Sequence, residues 1–229
     1  MAFPSIGTKG TTYNTSGTPT TSHVVDAPAS IASGDLLLIH FASDGTGTIS
    51  TVSGWTELFK VDSPASSSDK LQYKIATGSE GANETITTGG SEQAIAYYWR
   101  IPAAEWHGTT PPEYATATGT SANPDPPSVT ASWGSDDNLW WSTYGTNGNP
   151  SASVYPFADN NEWNGTGGGG SSGSAICTEE NATATNNPSA YTMSASQGWV
   201  AATVVIRPAG GGGGPAAGFM TTNTGYWGT

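Results

Sequence analysis

Threonine, serine, glycine and proline crowd this sequence, and that crowding limits what it can fold into. There are 33 Thr, 27 Ser, 31 Gly and 15 Pro among 229 residues, against six Leu. Thr, Ser and Gly are weak helix formers, Pro breaks helices, and the helix-favouring Leu is scarce. The nine Trp and nine Tyr suit pleated, half-buried surfaces. The chain therefore reads as all-β with long loops. At this length it buries a core without disulfide staples, in one large or two small domains.

Charge is sparse and one-sided. Charged residues are 10% of the chain, against roughly 25% in ordinary soluble domains, and the net charge is -12. The six cations, Lys9, Lys60, Lys70, Lys74, Arg100 and Arg207, are scattered. That excludes nucleic-acid binding, which needs clustered cations to displace counterions, and docking on anionic lipid. The single cysteine, Cys177, permits no intrachain disulfide and reads as a small buried strand residue. No apolar run approaches the ~18 residues of a membrane helix, so membrane insertion is not expected. The first residues lack the charged and apolar regions of a signal peptide. An extracellular-looking β-protein without an export signal fits a virion protein, made in the host cytoplasm and released by lysis.

Residues 35–42, Asp-Leu-Leu-Leu-Ile-His-Phe-Ala, form a continuous apolar run, the pattern of a strand buried on both faces. Further strands are expected at 55–61, 84–88, 129–133, 139–144, 175–178 and 191–194. Clean alternation marks Leu71, Tyr73, Ile75 and Thr77, then Ile95, Tyr97, Trp99 and Ile101, then Val200, Ala202, Val204 and Ile206. The proline-rich stretch 102–127 is either a long connection or an edge segment, because proline cannot donate in a central ladder. Residues 145–174 read as loop. The expected organisation is an N-terminal segment with short strands (1–34) and a sandwich (35–208). A glycine-rich linker with an aromatic arm follows (209–229). Two stretches echo one another: Ser33-Gly-Asp-Leu-Leu-Leu parallels Asp136-Asp-Asn-Leu-Trp-Trp, and Glu92–Pro102 parallels Gly198–Pro208. The echo suggests pseudo-repeated halves, about 33–102 and 135–208, interlocked as an antiparallel jelly-roll-like β-sandwich of about eight to ten strands.

An ordered set of short pieces carries a family likeness. Gly34-Asp-Leu-Leu-Leu, Ser53-Gly-Trp-Thr56, Tyr73-Lys-Ile-Ala-Thr-Gly-Ser-Glu80, Ala94-Ile-Ala-Tyr-Tyr-Trp-Arg100 and Trp199–Pro208 follow one another. Together they resemble a family of β-sandwich domains found in tailed-phage virion structural proteins and in some bacterial surface proteins. The likeness spans about residues 30–208. It implies a non-catalytic structural or adhesive module, and the family has no shared catalytic motif to carry over.

Catalytic signatures are weak. Gly169-x-Ser171-x-Gly173 matches a nucleophile elbow, and Gly165-x-Gly167-x-x-Gly170 a dinucleotide loop, but neither has the strand-to-helix context it needs. His23, His40 and His107 show no ligand spacing, and His40 reads as a core or sheet residue. Asp136-Asp137 and Asp159-Asn-Asn-Glu162 read as solvated turns, since Trp163 spoils a calcium loop. No metal or cofactor is expected, and no enzymatic activity. A glycoside hydrolase would need a carboxylate pair that sequence cannot select.

Aromatic residues carry the binding expectations. Trp106, Trp133 and Trp163 sit beside polar loops, where such rings stack on sugars or enter protein partners. Beyond the Gly210–Gly214 linker, Phe219, Tyr226 and Trp227 form an expected assembly arm. The expected function is a virion structural protein exposed on the particle, as capsid decoration or tail component. Its partners are other virion proteins and copies of itself in a symmetric homo-oligomer, a trimer being one form. The alternative is a carbohydrate-binding adhesin or receptor-binding module recognising a host surface glycan.

Overall fold

The apolar run at 35–42 becomes a strand with no exposed residue, and the rest of the molecule is arranged about it. A computed structural model describes residues 2–168 and 170–210, and all regular structure among them is β. In chain order the strands are β1 (Thr8–Lys9), β2 (Tyr13–Asn14), β3 (Thr20–Asp26), β4 (Leu36–Ser43), β5 (Thr56–Asp62) and β6 (Ser68–Ile75). Then come β7 (Asn83–Glu92), β8 (Ala94–Ile101), β9 (Glu113–Ser121), β10 (Val129–Thr130), β11 (Asn138–Asn147) and β12 (Ala152–Val154). The last are β13 (Asp159–Gly165), β14 (Ser172–Asn181), β15 (Thr185–Asn186), β16 (Thr192–Met193) and β17 (Gln197–Ile206).

Two antiparallel sheets form an all-β sandwich. One has the order β1-β8-β4-β6-β5, with β2 also on β8, and the other β13-β14-β11-β17-β9. Between them lies a buried core of Leu36, Leu38, Tyr97, Trp99 and Ile101 from the first sheet and Leu139, Trp141, Ile176, Val204 and Ile206 from the second. Trp99 and Trp141 stack across it with centroids 4.8 Å apart. The alternate residues of the central strands are buried too. Leu37, Ile39, Phe41 and Tyr98 lie under the β3–β7 ribbon with Val25 and Ile86. Trp140, Tyr144, Cys177 and Val205 lie under Val129, Phe157, Tyr191 and Met193, close to the short β10–β15 and β12–β16 pairs. Covering both faces is why β4 is apolar throughout instead of alternating.

Each sheet comes from one half of the chain. The jelly-roll interleaving expected from sequence is not the strand order found, because the strands of each half pair with one another and not with those of the other half. The halves have the same topology: β8, β4, β6 and β5 in one sheet take the places of β17, β11, β14 and β13 in the other. The register agrees, since Leu36 faces Ile101 and Leu139 faces Ile206. Likewise β3 pairs with β7 as β10 pairs with β15.

Two stretches differ from their sequence reading. Within 1–34, β1 and β2 join the first sheet and β3 roofs it, so this segment is part of the sandwich. Within 145–174, β13 pairs with β14 although Asp-Asn-Asn-Glu-Trp-Asn-Gly has little strand propensity. Tertiary pairing overrides propensity there.

The outer layer also holds a pH-sensitive group. His23 is buried between Tyr13 Oη (3.2 Å from Nδ1) and Thr88 Oγ1 (3.1 Å from Nε2), with Phe41 against its ring. Burial pushes its imidazole down to about 4, against about 6.5 in an unfolded chain. Between those values the unfolded chain binds a proton that the folded chain refuses. Stability is therefore whole above pH ~6.5 and declines as pH falls toward 4. Urea midpoints measured from pH 7 to 4.5 should fall, and His23→Gln should flatten part of that fall. An unchanged slope in the variant would refute the assignment.

Candidate functional site

The groups with the most reactive chemistry are sealed inside. His40 Nε2 lies 3.1 Å from Asp69 Oδ2, and both side chains are fully buried between the sheets. Burial pushes the Asp69 carboxyl above the usual range, with His40 pulling the other way. Thr143 Oγ1, from the opposite sheet, sits 3.2 Å from His40 Nε2 and donates to the Ala175 carbonyl at 2.9 Å. A hydrolase triad uses both imidazole nitrogens, one for the hydroxyl and one for the carboxylate, whereas Asp69 and Thr143 both meet Nε2. Here the hydroxyl proton is committed to a carbonyl and all three residues are closed to solvent. The cluster is a polar link between sheets. Its closeness requires Gly145, where a Cβ would fall 2.1 Å from Asp69 Oδ1.

Cys177 is likewise inert. Burial pushes its thiol up to about 12, and its Sγ lies 3.2 Å from Tyr191 Oη. A thiolate, the nucleophilic form, does not form there. Lys70 is buried with all three ammonium protons used: Ile49 O at 2.9 Å, Thr51 Oγ1 at 2.7 Å and Glu57 Oε2 at 2.7 Å.

The acidic turns are occupied by their own chain. Asp136 Oδ1 accepts from the Asp137 backbone, and Glu162 accepts from Lys9 and Thr12. The carboxylate pair that the fold does bring together is Asp44 with Glu92, whose carboxyl is raised by burial and by Asp44. Among the described residues no three His, Cys, Asp or Glu side chains gather as metal ligands. The glycine motifs at 165–173 fall in the β13–β14 connection, with Gly169 outside the described residues.

The three tryptophans named from sequence fare differently. Trp106 is 2% exposed, inside the inter-sheet core, with Nε1 donating to Gly34 O at 2.9 Å. It cannot stack on a glycan or a partner, because it anchors its own loop. Trp133 is half-buried, donates to Asn138 Oδ1 at 2.8 Å and carries Arg207 over its ring. Trp163 is half-buried and donates to Pro150 O at 2.9 Å. Both pack against the outer cluster that contains Trp140, Tyr144 and Tyr191. Phe219, Tyr226 and Trp227 lie outside the described residues.

What the fold leaves open is a sheet edge. Each main sheet has two edges, and three are broken or charged. One is the short β1 with β2 instead of a full strand. The β5 edge is bulged between Glu57 and Phe59 and carries Lys60 and Asp62, and the β13 edge is bulged between Asp159 and Glu162. The fourth, β9, runs nine residues in unbroken register along β17 and carries one charge, Glu113. Its sequence, Glu-Tyr-Ala-Thr-Ala-Thr-Gly-Thr-Ser, is held by small contacts. Ala115 and Ala117 pack on the outer cluster, and Gly119 makes room for the Trp199 ring, to which a Cβ would come within 2.4 Å. Trp199 Nε1 donates to Ser121 Oγ at 3.0 Å. Tyr114, 42% exposed, leans on Phe59 of β5. Beside the first residues of β9 lies an open depression of about 440 Å³, lined by Pro112–Ala115 and Ser128–Thr130. Sequence reasoning left 102–127 as connection or edge, and the alternating Thr of 116–120 was the available signal for the latter.

The described chain ends beside this end of β9. Val205 faces Glu113, Pro208 bridges to Trp106, and Ala209 N donates to Glu105 O at 2.9 Å. The glycine linker begins one residue later.

In comparisons with known proteins, no family model, no curated protein and no solved structure matches this chain.

Proposed function

We propose that this chain is a non-enzymatic virion structural protein, displayed on the particle surface as capsid decoration or tail component and acting through protein–protein contacts. The supporting observation is where the described chain ends: an anchored turn at Pro208–Ala209 lies beside a sheet edge that the described residues leave open, and in the sequence the five-glycine linker and aromatic arm follow it. A rigid sandwich with a tethered adhesive segment is what a repeating assembly needs. The net charge of -12 supports it, by keeping crowded copies soluble until specific contacts form. The buried state of His40, Asp69 and Cys177 assigns them to the fold.

Light scattering on size-separated protein tests the reading. The full chain should form a defined oligomer, and a chain ending at Gly210, which retains every contact described above, should be monomeric. Two identical monomers would overturn assembly through the arm.

A further inference from the structure

The two halves share a topology, and at one place they part. The edge occupied by β1 and β2 in the first sheet corresponds to β9 in the second. The first is short, carries Lys9, and is tied to β13 of the other sheet by Lys9 and Thr12 on Glu162 and by Asn14 on Asn164. Its counterpart β9 is continuous in register and nearly uncharged, and among the described residues it pairs with β17 alone. A long uncharged edge without proline or bulge is a template for another strand.

We propose that β9 accepts the arm of a neighbouring copy as an added antiparallel strand, residues 219–227 lying along residues 113–121. This inference rests on the reading of the arm as an assembly element and names the surface that receives it.

Length and chemistry both favour this occupant. Phe219–Trp227 is nine residues, as is β9. Antiparallel alignment sets Phe219 opposite Ser121 and Trp227 opposite Glu113. Thr222 and Thr224 then face Thr118 and Thr116, the cross-strand threonine pairing that stabilises sheets. Tyr226 and Trp227 arrive at Tyr114 and the depression beside Pro112–Ala115. The chain's own arm is poorly placed to do this. It begins at the Glu113 end, so an antiparallel start requires reaching the Ser121 end first. Nine strand residues span ~30 Å, and the ten steps from Ala209 to Phe219 reach at most ~34 Å fully drawn out. Stretching five glycines to that limit is entropically costly. A neighbour's arm meets no such constraint.

Two measurements test it together. Amide exchange should show the outward-facing N–H groups of β9 protected in the full chain and exchanging roughly a hundredfold faster in the chain ending at Gly210. Mixing a Thr118→Cys chain with a Thr222→Cys chain under mild oxidation should give the mixed cross-linked dimer, since directly opposed strand positions suit a disulfide. Thr118 is an exposed edge position, and Cys177 is sealed. Arm-dependent oligomers with equal β9 exchange in both chains and no mixed dimer would place the arm elsewhere, overturning this inference and leaving the assembly reading intact. Protected β9 amides in a monomeric full chain would mean the chain's own arm is the occupant, which also overturns it. A monomer with unprotected β9 overturns both readings.

Discussion

Replacing Trp141 by Ala should cost about 3–5 kcal/mol of unfolding free energy. Trp141 is fully buried, and its ring lies 4.8 Å from that of Trp99, 16° from parallel, at the seam between the sheets. Truncation leaves a hole in the inter-sheet cluster that also holds Trp99, Leu36, Ile101, Leu139 and Val204, which close-packed strands collapse only partly to fill. A sandwich of this size stands only about 5–15 kcal/mol above its unfolded state, so the variant loses a large part of its margin. The indole N–H of Trp141 has no acceptor among the described residues. Trp141→Phe should therefore cost much less, because it keeps most of the ring contact and removes a buried donor with no partner. Guanidinium unfolding of the two variants checks both statements. A loss under about 1 kcal/mol for Trp141→Ala would show that the two halves are not held together at this seam.

Replacing Asp35 by Ala should be of similar size, about 3–5 kcal/mol, by a different mechanism. Asp35 is 1% exposed and accepts from Arg100 Nε, from Ala32 N at 2.7 Å and from Ala103 N at 2.8 Å. One carboxylate thus ties the entry to β4, the end of β8 and the turn that leads to Trp106. Removing it leaves a mostly buried guanidinium unpaired and two backbone donors without acceptors. Burial by itself would raise this carboxyl, but Arg100 and the two backbone N–H groups outweigh it and hold it below the ordinary range. Because the folded value is the lower one, the stabilisation is complete above the unfolded value of about 3.9 and is lost as pH falls below it. That window lies beneath the one set by His23, so the two separate in a pH series. Asp35→Asn should lose the acid-dependent share below pH ~4 while retaining part of the hydrogen bonding. A variant with the parent's stability and the parent's acid profile would show that the ion pair contributes nothing net.

The echo between the halves was readable at Leu36 and Leu139, because two central strands buried on both faces must both be apolar and of similar length. It failed at the polar ends. The sequence parallel of Glu92–Pro102 with Gly198–Pro208 sets Ile101 beside Arg207, yet the register makes Ile206 the counterpart of Ile101. Arg100 pairs with Asp35, whereas Arg207 lies over Trp133. Partners for long polar side chains are chosen by what each turn brings near, and no local pattern encodes that.

The candidate surface was half legible. The glycine linker and aromatic arm stand out in the sequence, and so does the alternating threonine run at 116–120. That β9 is an edge, that it is the regular one among four, and that the described chain ends beside it depend on which strands pair, hence on contacts between residues far apart. Trp106 shows the converse. Its loop neighbours suggested a surface ring, but the bridge to Pro208 and the Gly34 carbonyl draw it into the core.

Taken alone, the sequence determined the β class and the doubly buried central strands, because backbone propensity and side-chain alternation are local properties. It also determined the scattering of the few cations. The tertiary structure alone decided that each half closes its own sheet and that the poorly disposed residues of β13 become a strand. It alone decided that His40, Asp69 and Thr143 meet across the seam and that β9, paired with β17, keeps an open outer edge among the described residues. Each of these outcomes is set by long-range pairing, in which a segment takes the conformation its neighbour completes.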